Sequence, residues 1–192
     1  MESGEIVSGG PLQGALVARR HLSLRAALDR LAQWFPRTTR REAVTTTLRL
    51  EVPRAHAWEA LRFYEDIPTQ PSALLRLILP TPIRSEGQKL QPGGLVRCTY
   101  EGGHLIKRVT VADPPGLLRF EVVVQDLGIE HCISLAEGSY EIREGATGCE
   151  VLLTTAYRGH LRPRFLWRPV ERALAHAVHL HILQGMRDLQ RN

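Results

Sequence analysis

Three histidines, His176, His179 and His181, stand close together in a run that reads as one long helix, Pro169 to about Leu189. A neutral histidine carries one donor and one acceptor, so such a group suits metal ligation, proton transfer or the holding of a polar ligand. The spacing argues against a metal. At 100° per residue His176 and His179 lie within about 60° of each other, while His181 points the other way. One helix then offers two ligands, and no H-E-x-x-H or C-x-x-C pattern supplies the rest. No metal and no cofactor are expected. Val170, Leu174, Ala177, Val178, His181 and Gly185 share one stripe of the helix. His181 is thus the polar group of an apolar face and the first candidate to meet a ligand. The competing reading is a core histidine satisfied by a backbone carbonyl or a tyrosine.

Other polar residues fall on candidate strands. Tyr100, Tyr140 and Tyr157 could each turn a hydroxyl into a cavity while the ring packs, or reach solvent with it. Lys107 neighbours Arg108, so one of the two faces inward or both stay at an edge. A buried cation there would need a partner, and Glu121 or Glu130 could supply it. Arg162, Arg164 and Arg168, with Trp167, precede the closing helix. They either frame a pocket mouth that receives a carboxylate or phosphate, or form a solvated basic turn. Nucleophile elbows, phosphate loops and dinucleotide fingerprints are missing.

The elements that must position these residues follow from periodicity. Residues 42–52, EAVTTTLRLEV, alternate apolar and polar as a half-buried strand does. Pro53 opens a helix over PRAHAWEALRFY. A proline-rich stretch, 68–92, holds an apolar run, LLRLIL, that suits helix or strand equally. From residue 95 onward, strand-like runs alternate with turn signals such as Glu101-Gly102-Gly103 and Asp113-Pro114-Pro115-Gly116. This order predicts an α+β fold: a curved antiparallel sheet of about six or seven strands wrapped around a long C-terminal helix. Residues 42–192 would form that domain.

Residues 1–41 are set apart by composition. A loose tail precedes residues 12–35, an amphipathic helix with Leu16, Leu24, Leu28, Leu31 and Phe35 on one face. This N-terminal helix either caps the domain or lies on an anionic membrane as a peripheral contact. Net charge is +5, but residues 1–41 hold seven arginines against three acidic residues, while the rest holds 18 basic and 17 acidic groups. A nearly neutral body argues against nucleic-acid binding, which needs a basic face on the fold itself. No run approaches a membrane span. The odd, scattered Cys98, Cys132 and Cys149 suit reduced thiols in a cytoplasm.

The opening strand running into V-P-R-A-H-A-W-E-A-L (52–61), the glycine turn before V-L-L-T-T-A-Y (148–157) and the closing helix resemble the START-like superfamily, also called SRPBCC or helix-grip. The run L-R-P-R-F-L-W-R-P (161–169) resembles a bacterial branch of it. The resemblance implies a cavity between sheet and helix that binds a hydrophobic small molecule or lipid. It leaves open whether that cavity also does chemistry, as in the superfamily's polyketide cyclases.

Overall fold

The computed structural model describes residues 40–189 apart from 62 and 68–70. The helix expected over 12–35 lies outside the described residues. Seven strands form one antiparallel sheet in the order β1-β7-β6-β5-β4-β3-β2. They are β1 (Glu42–Leu50), β2 (Pro82–Gly87), β3 (Leu95–Tyr100), β4 (Gly103–Asp113), β5 (Leu117–Asp126), β6 (Ile133–Gly145) and β7 (Gly148–Gly159).

Alternation decides which face each strand buries. In β1, Val44, Thr46 and Leu50 are buried, while Ala43, Thr45, Thr47 and Arg49 are exposed. In β4, Leu105, Lys107 and Val109 are buried together, which carries a lysine into the core with its neighbours. Glycine makes room at one point of the inner face. A Cβ at Gly138 would run into the Phe120 ring that covers it.

The segment between β1 and β2 closes part of the concave face. Helix α1 (Arg54–Glu59) follows Pro53 and buries Ala57 and Trp58 against β6 and β7. A 3₁₀ turn, Tyr64–Asp66, follows. Helix α2 (Ala73–Ile78) resolves the ambiguous apolar run as helix, with Ser72 accepting from the Leu75 amide at 3.4 Å. The proline-rich stretch also contains β2, which the sequence pattern did not announce. β2 is a sheet edge paired only with β3, so Pro82 at its start loses no ladder bond and little of it needs to be apolar.

The closing helix, α3 (Arg164–Leu189), has 26 residues and a length of about 39 Å. It packs against β1 and β7 and touches the 3₁₀ turn and α2. The helix starts five residues before the expected Pro169. Pro163 holds the starting position instead, its carbonyl receiving the amides of Leu166 and Trp167 at 3.2 and 3.3 Å. Pro169 lies inside the helix, in its first turns, where the missing donor matters least. The buried face is also turned by about one residue from the expected stripe. His179, Ile182, Leu183 and Met186 are buried, Val170 is exposed and His181 is half-buried. Among the described residues, no helix is long and apolar enough to cross a membrane.

Candidate functional site

Between the sheet and α3 lies a cavity of about 170 Å³ with a mainly apolar wall. Its most unusual wall group is Lys107. The pleat of β4 points this side chain inward, between the buried Leu105 and Val109. Its Nζ donates to the two carboxylate oxygens of Glu65 at 3.2 and 3.1 Å. Glu65, on the 3₁₀ turn, has a wholly inaccessible side chain. The Tyr100 hydroxyl donates to the same carboxylate. The ammonium also sits over two rings, 4.3 Å from the centroid of Phe63 and 5.3 Å from that of Phe120. Burial works against the charge on Lys107, but the adjacent Glu65 more than offsets it and holds the amine above the ordinary lysine value. Lys107 is therefore a cation and a proton donor, not a free amine.

Neighbouring acids respond to the same surroundings. Burial pushes the Cys98 thiol up to about 12, partly opposed by Lys107, so it stays protonated. Burial, with the charges of Glu65 and Asp66, raises the Tyr140 phenol well above its usual range. Tyr140 and Phe63 line the cavity on one side and, on the other, a hollow of about 340 Å³ that also meets Asp66 and Lys89.

On the helix side the wall carries His179. Its Nε2 meets the Thr155 hydroxyl at 2.8 Å, and its Nδ1 meets the Thr46 hydroxyl at 2.9 Å. Thr46 also meets Nδ1 of His176 at 2.7 Å. Burial first, and His176 second, lower the pKa of His179 to about 4, so it is neutral at physiological pH. Tyr157 also lines the cavity and is wholly buried, and its hydroxyl has no hydrogen-bond partner among the described residues.

Arg164 stands behind this end. It forks onto Glu171 at 2.6 and 2.7 Å and onto Glu42 at 2.6 Å, and Arg168 reaches the other Glu42 oxygen at 2.7 Å. Burial opposes the Glu42 charge, but the two arginines hold its carboxyl below the usual range. The bonds to Glu171 raise Arg164. Gly159 lies beside this fork, and a Cβ there would displace the ends of the Arg164 and Glu171 side chains.

The structure thus brings Tyr100, Tyr140, Tyr157 and Lys107 to one cavity wall. His181, Trp167 and Arg164 are not on that wall. His181 is displaced because the helix is rotated relative to the expected stripe, which puts Ile182 at the cavity instead. Trp167 is half-buried and donates from Nε1 to the Arg162 carbonyl at 3.1 Å. The fork of Arg164 is filled by carboxylates of this chain rather than open to an anionic ligand. The partner of Lys107 is Glu65, not Glu121, which pairs with Arg108 at 2.9 Å, nor Glu130, which accepts the Leu127 amide at 2.6 Å. Glu65 carried no periodic signal in the sequence. A short turn has no repeat to read, and only the aromatics of FYED hint at burial there. His179 had a signal: it shares a face with Leu183 and Met186, the bulkier of the two apolar faces. No cluster of three or more histidine, cysteine or carboxylate side chains suited to a metal occurs among the described residues.

No protein-family model matches the chain, and no curated protein sequence matches it. Solved structures do. Norcoclaurine synthase from Thalictrum flavum is 11% identical with a TM-score of 0.54, over 98% of this chain and 96% of that one. A protein from Mesorhizobium loti is 16% identical with a TM-score of 0.52, over 78% and 97% respectively. The di-domain ARO/CYC protein BexL is 13% identical with a TM-score of 0.52, over 77% of this chain and 49% of that one. At these identities the likeness concerns the fold alone, a helix-grip arrangement of a curved antiparallel sheet and a long closing helix.

Proposed function

We propose that the cavity binds one small, predominantly apolar molecule of about single-ring size, whose polar group meets Lys107, Tyr100 and Glu65. The observation that carries this reading is a buried ion pair in the wall of an apolar cavity. Each feature is costly in an empty protein. An apolar wall left facing a hollow of about 170 Å³ forgoes the packing contacts that a filled core would make. A buried pair is often no more stable than apolar residues of the same volume. A ligand that fills the void and uses the ammonium or the phenol offsets both. A volume near 150 Å³ admits a benzene-sized guest, so about 170 Å³ favours a small molecule over a lipid. The same fold in a synthase and an ARO/CYC protein supports a cavity for small molecules.

Calorimetric titration with p-cresol tests this. One saturable site is expected in the wild type, and its loss in Val178→Phe, which fills the cavity from α3. Absence of binding, or equal binding by the filled variant, would refute the reading.

A second reading, acid–base catalysis in the same cavity, is favoured by the contacts among Tyr100, Glu65 and Lys107. Lys107 and Tyr100 can donate to a carbonyl oxygen while Glu65 accepts a proton. Solvent deuterium entering the acetyl methyl group of bound 4-methylacetophenone, alpha to its carbonyl, would support it, and a probe returned without deuterium would leave binding as the function.

A further inference from the structure

We propose that Tyr157 is a second ligand handle, and that the cavity is built for an uncharged ring carrying a hydrogen-bonding oxygen at each end. One oxygen meets Lys107 and Tyr100, and the other meets the Tyr157 hydroxyl. This inference rests on the cavity-binding reading above and assigns the class of its ligand.

The first observation is the hydroxyl itself. Tyr157 is wholly buried, lines the cavity and has no hydrogen-bond partner among the described residues. Buried polar atoms are almost always satisfied, and an exception in a cavity wall points to a group that arrives with the ligand. Burial first, then the charge of Glu171, raises this phenol above its ordinary value, so it remains a donor. The ligand must therefore present an acceptor there.

The second observation is register. Lys107 pairs with Val122, Glu121 with Glu137, and Leu135 with Tyr157. Lys107 on β4 and Tyr157 on β7 thus lie at nearly the same level along the strands, three strands apart. At about 4.8 Å per strand that is about 14 Å along the sheet, and less across its concave face. Two long side chains with one ring between them span such a gap.

The third observation is charge. Among the described residues, each charged group of the wall is already matched: Lys107 by Glu65, Glu171 by Arg164 and Glu137 by Arg41. A charged ligand would find no unmatched counter-ion in an apolar space, so an uncharged one is selected.

Titration of wild type and Tyr157→Phe with three probes tests the inference. p-Cresol has one oxygen, 4-hydroxybenzyl alcohol has two and is uncharged, and 4-hydroxybenzoate has a charged end. The wild type is expected to bind 4-hydroxybenzyl alcohol about tenfold more tightly than p-cresol, the worth of one good hydrogen bond. Tyr157→Phe should erase that preference and unfold at the same temperature or higher. 4-Hydroxybenzoate should bind more weakly than either. A preference that survives in Tyr157→Phe, tightest binding of 4-hydroxybenzoate, or a clearly lower unfolding temperature for the variant would each overturn the second handle while leaving the cavity reading intact. If p-cresol itself does not bind, the cavity reading falls and the handle falls with it.

Discussion

Acid should loosen this fold through His179, by an amount that can be worked out. In the unfolded chain a histidine titrates at 6.5, while burial and His176 lower His179 to about 4. Below pH 6.5 the unfolded chain therefore binds more protons at this site than the folded one, and protons favour unfolding. The contribution of His179 is complete above pH 6.5 and is lost as pH falls towards 4. The full shift corresponds to about 3 kcal/mol, of which about 2.5 kcal/mol is expressed between pH 7.5 and pH 4.5. Carboxylates such as Glu42, also held low, lose stability in the same direction. The test must therefore compare two chains. Urea unfolding, followed by tryptophan fluorescence, is measured at both pH values for wild type and His179→Gln. The variant loses hydrogen bonds to Thr46 and Thr155 at any pH, but it has no imidazole to protonate. The stability advantage of the wild type should shrink by about 2.5 kcal/mol on going to pH 4.5. Parallel losses in the two chains would refute the claim that buried, neutral His179 is a stabilising element.

Two further outcomes follow from the cavity wall. Glu65→Gln should cost about 3–5 kcal/mol in chemical denaturation, because Lys107 is left as a buried charge without its partner, whereas Glu65→Leu with Lys107→Met should recover most of that loss. Equal stability of Glu65→Gln and wild type would mean that the pair is not desolvated as the geometry shows. Gly138→Ala drives a methyl group into the Phe120 ring and should cost about 1–3 kcal/mol. Because Phe120 also lines the cavity, p-cresol titration should weaken in the same variant, and an unchanged affinity would show that the ring moves away from the cavity.

Much of the wall was legible one strand at a time. Alternation in HLIKRVTV sets Leu105, Lys107 and Val109 on one face, and the patterns of β3, β6 and β7 likewise bury Tyr100, Tyr140 and Tyr157. A period of two leaves each strand a single choice of face; the sequence leaves that choice open for Lys107 and the three tyrosines, and packing on the inner face makes it. The closing helix was harder. Two of its faces are apolar, and periodicity cannot say which of them meets the sheet; the stripe points to His181, and the structure has His179 at the cavity. Its start differs for a local reason: the helix begins at Arg164, where the Pro163 carbonyl takes the first amides, and Pro169 fits inside the opening turns.

The residue order alone determined the succession of elements: a strand, a helix, a run of hairpins and a long final helix. Those are local properties, written in alternation, turn residues and caps. The tertiary structure decided which charges meet. Glu65 reaches Lys107 across 42 positions, and Glu42 reaches Arg164 across 122. Neither pairing leaves a periodic trace, because Coulomb attraction and desolvation depend on distance in space and not on spacing along the chain.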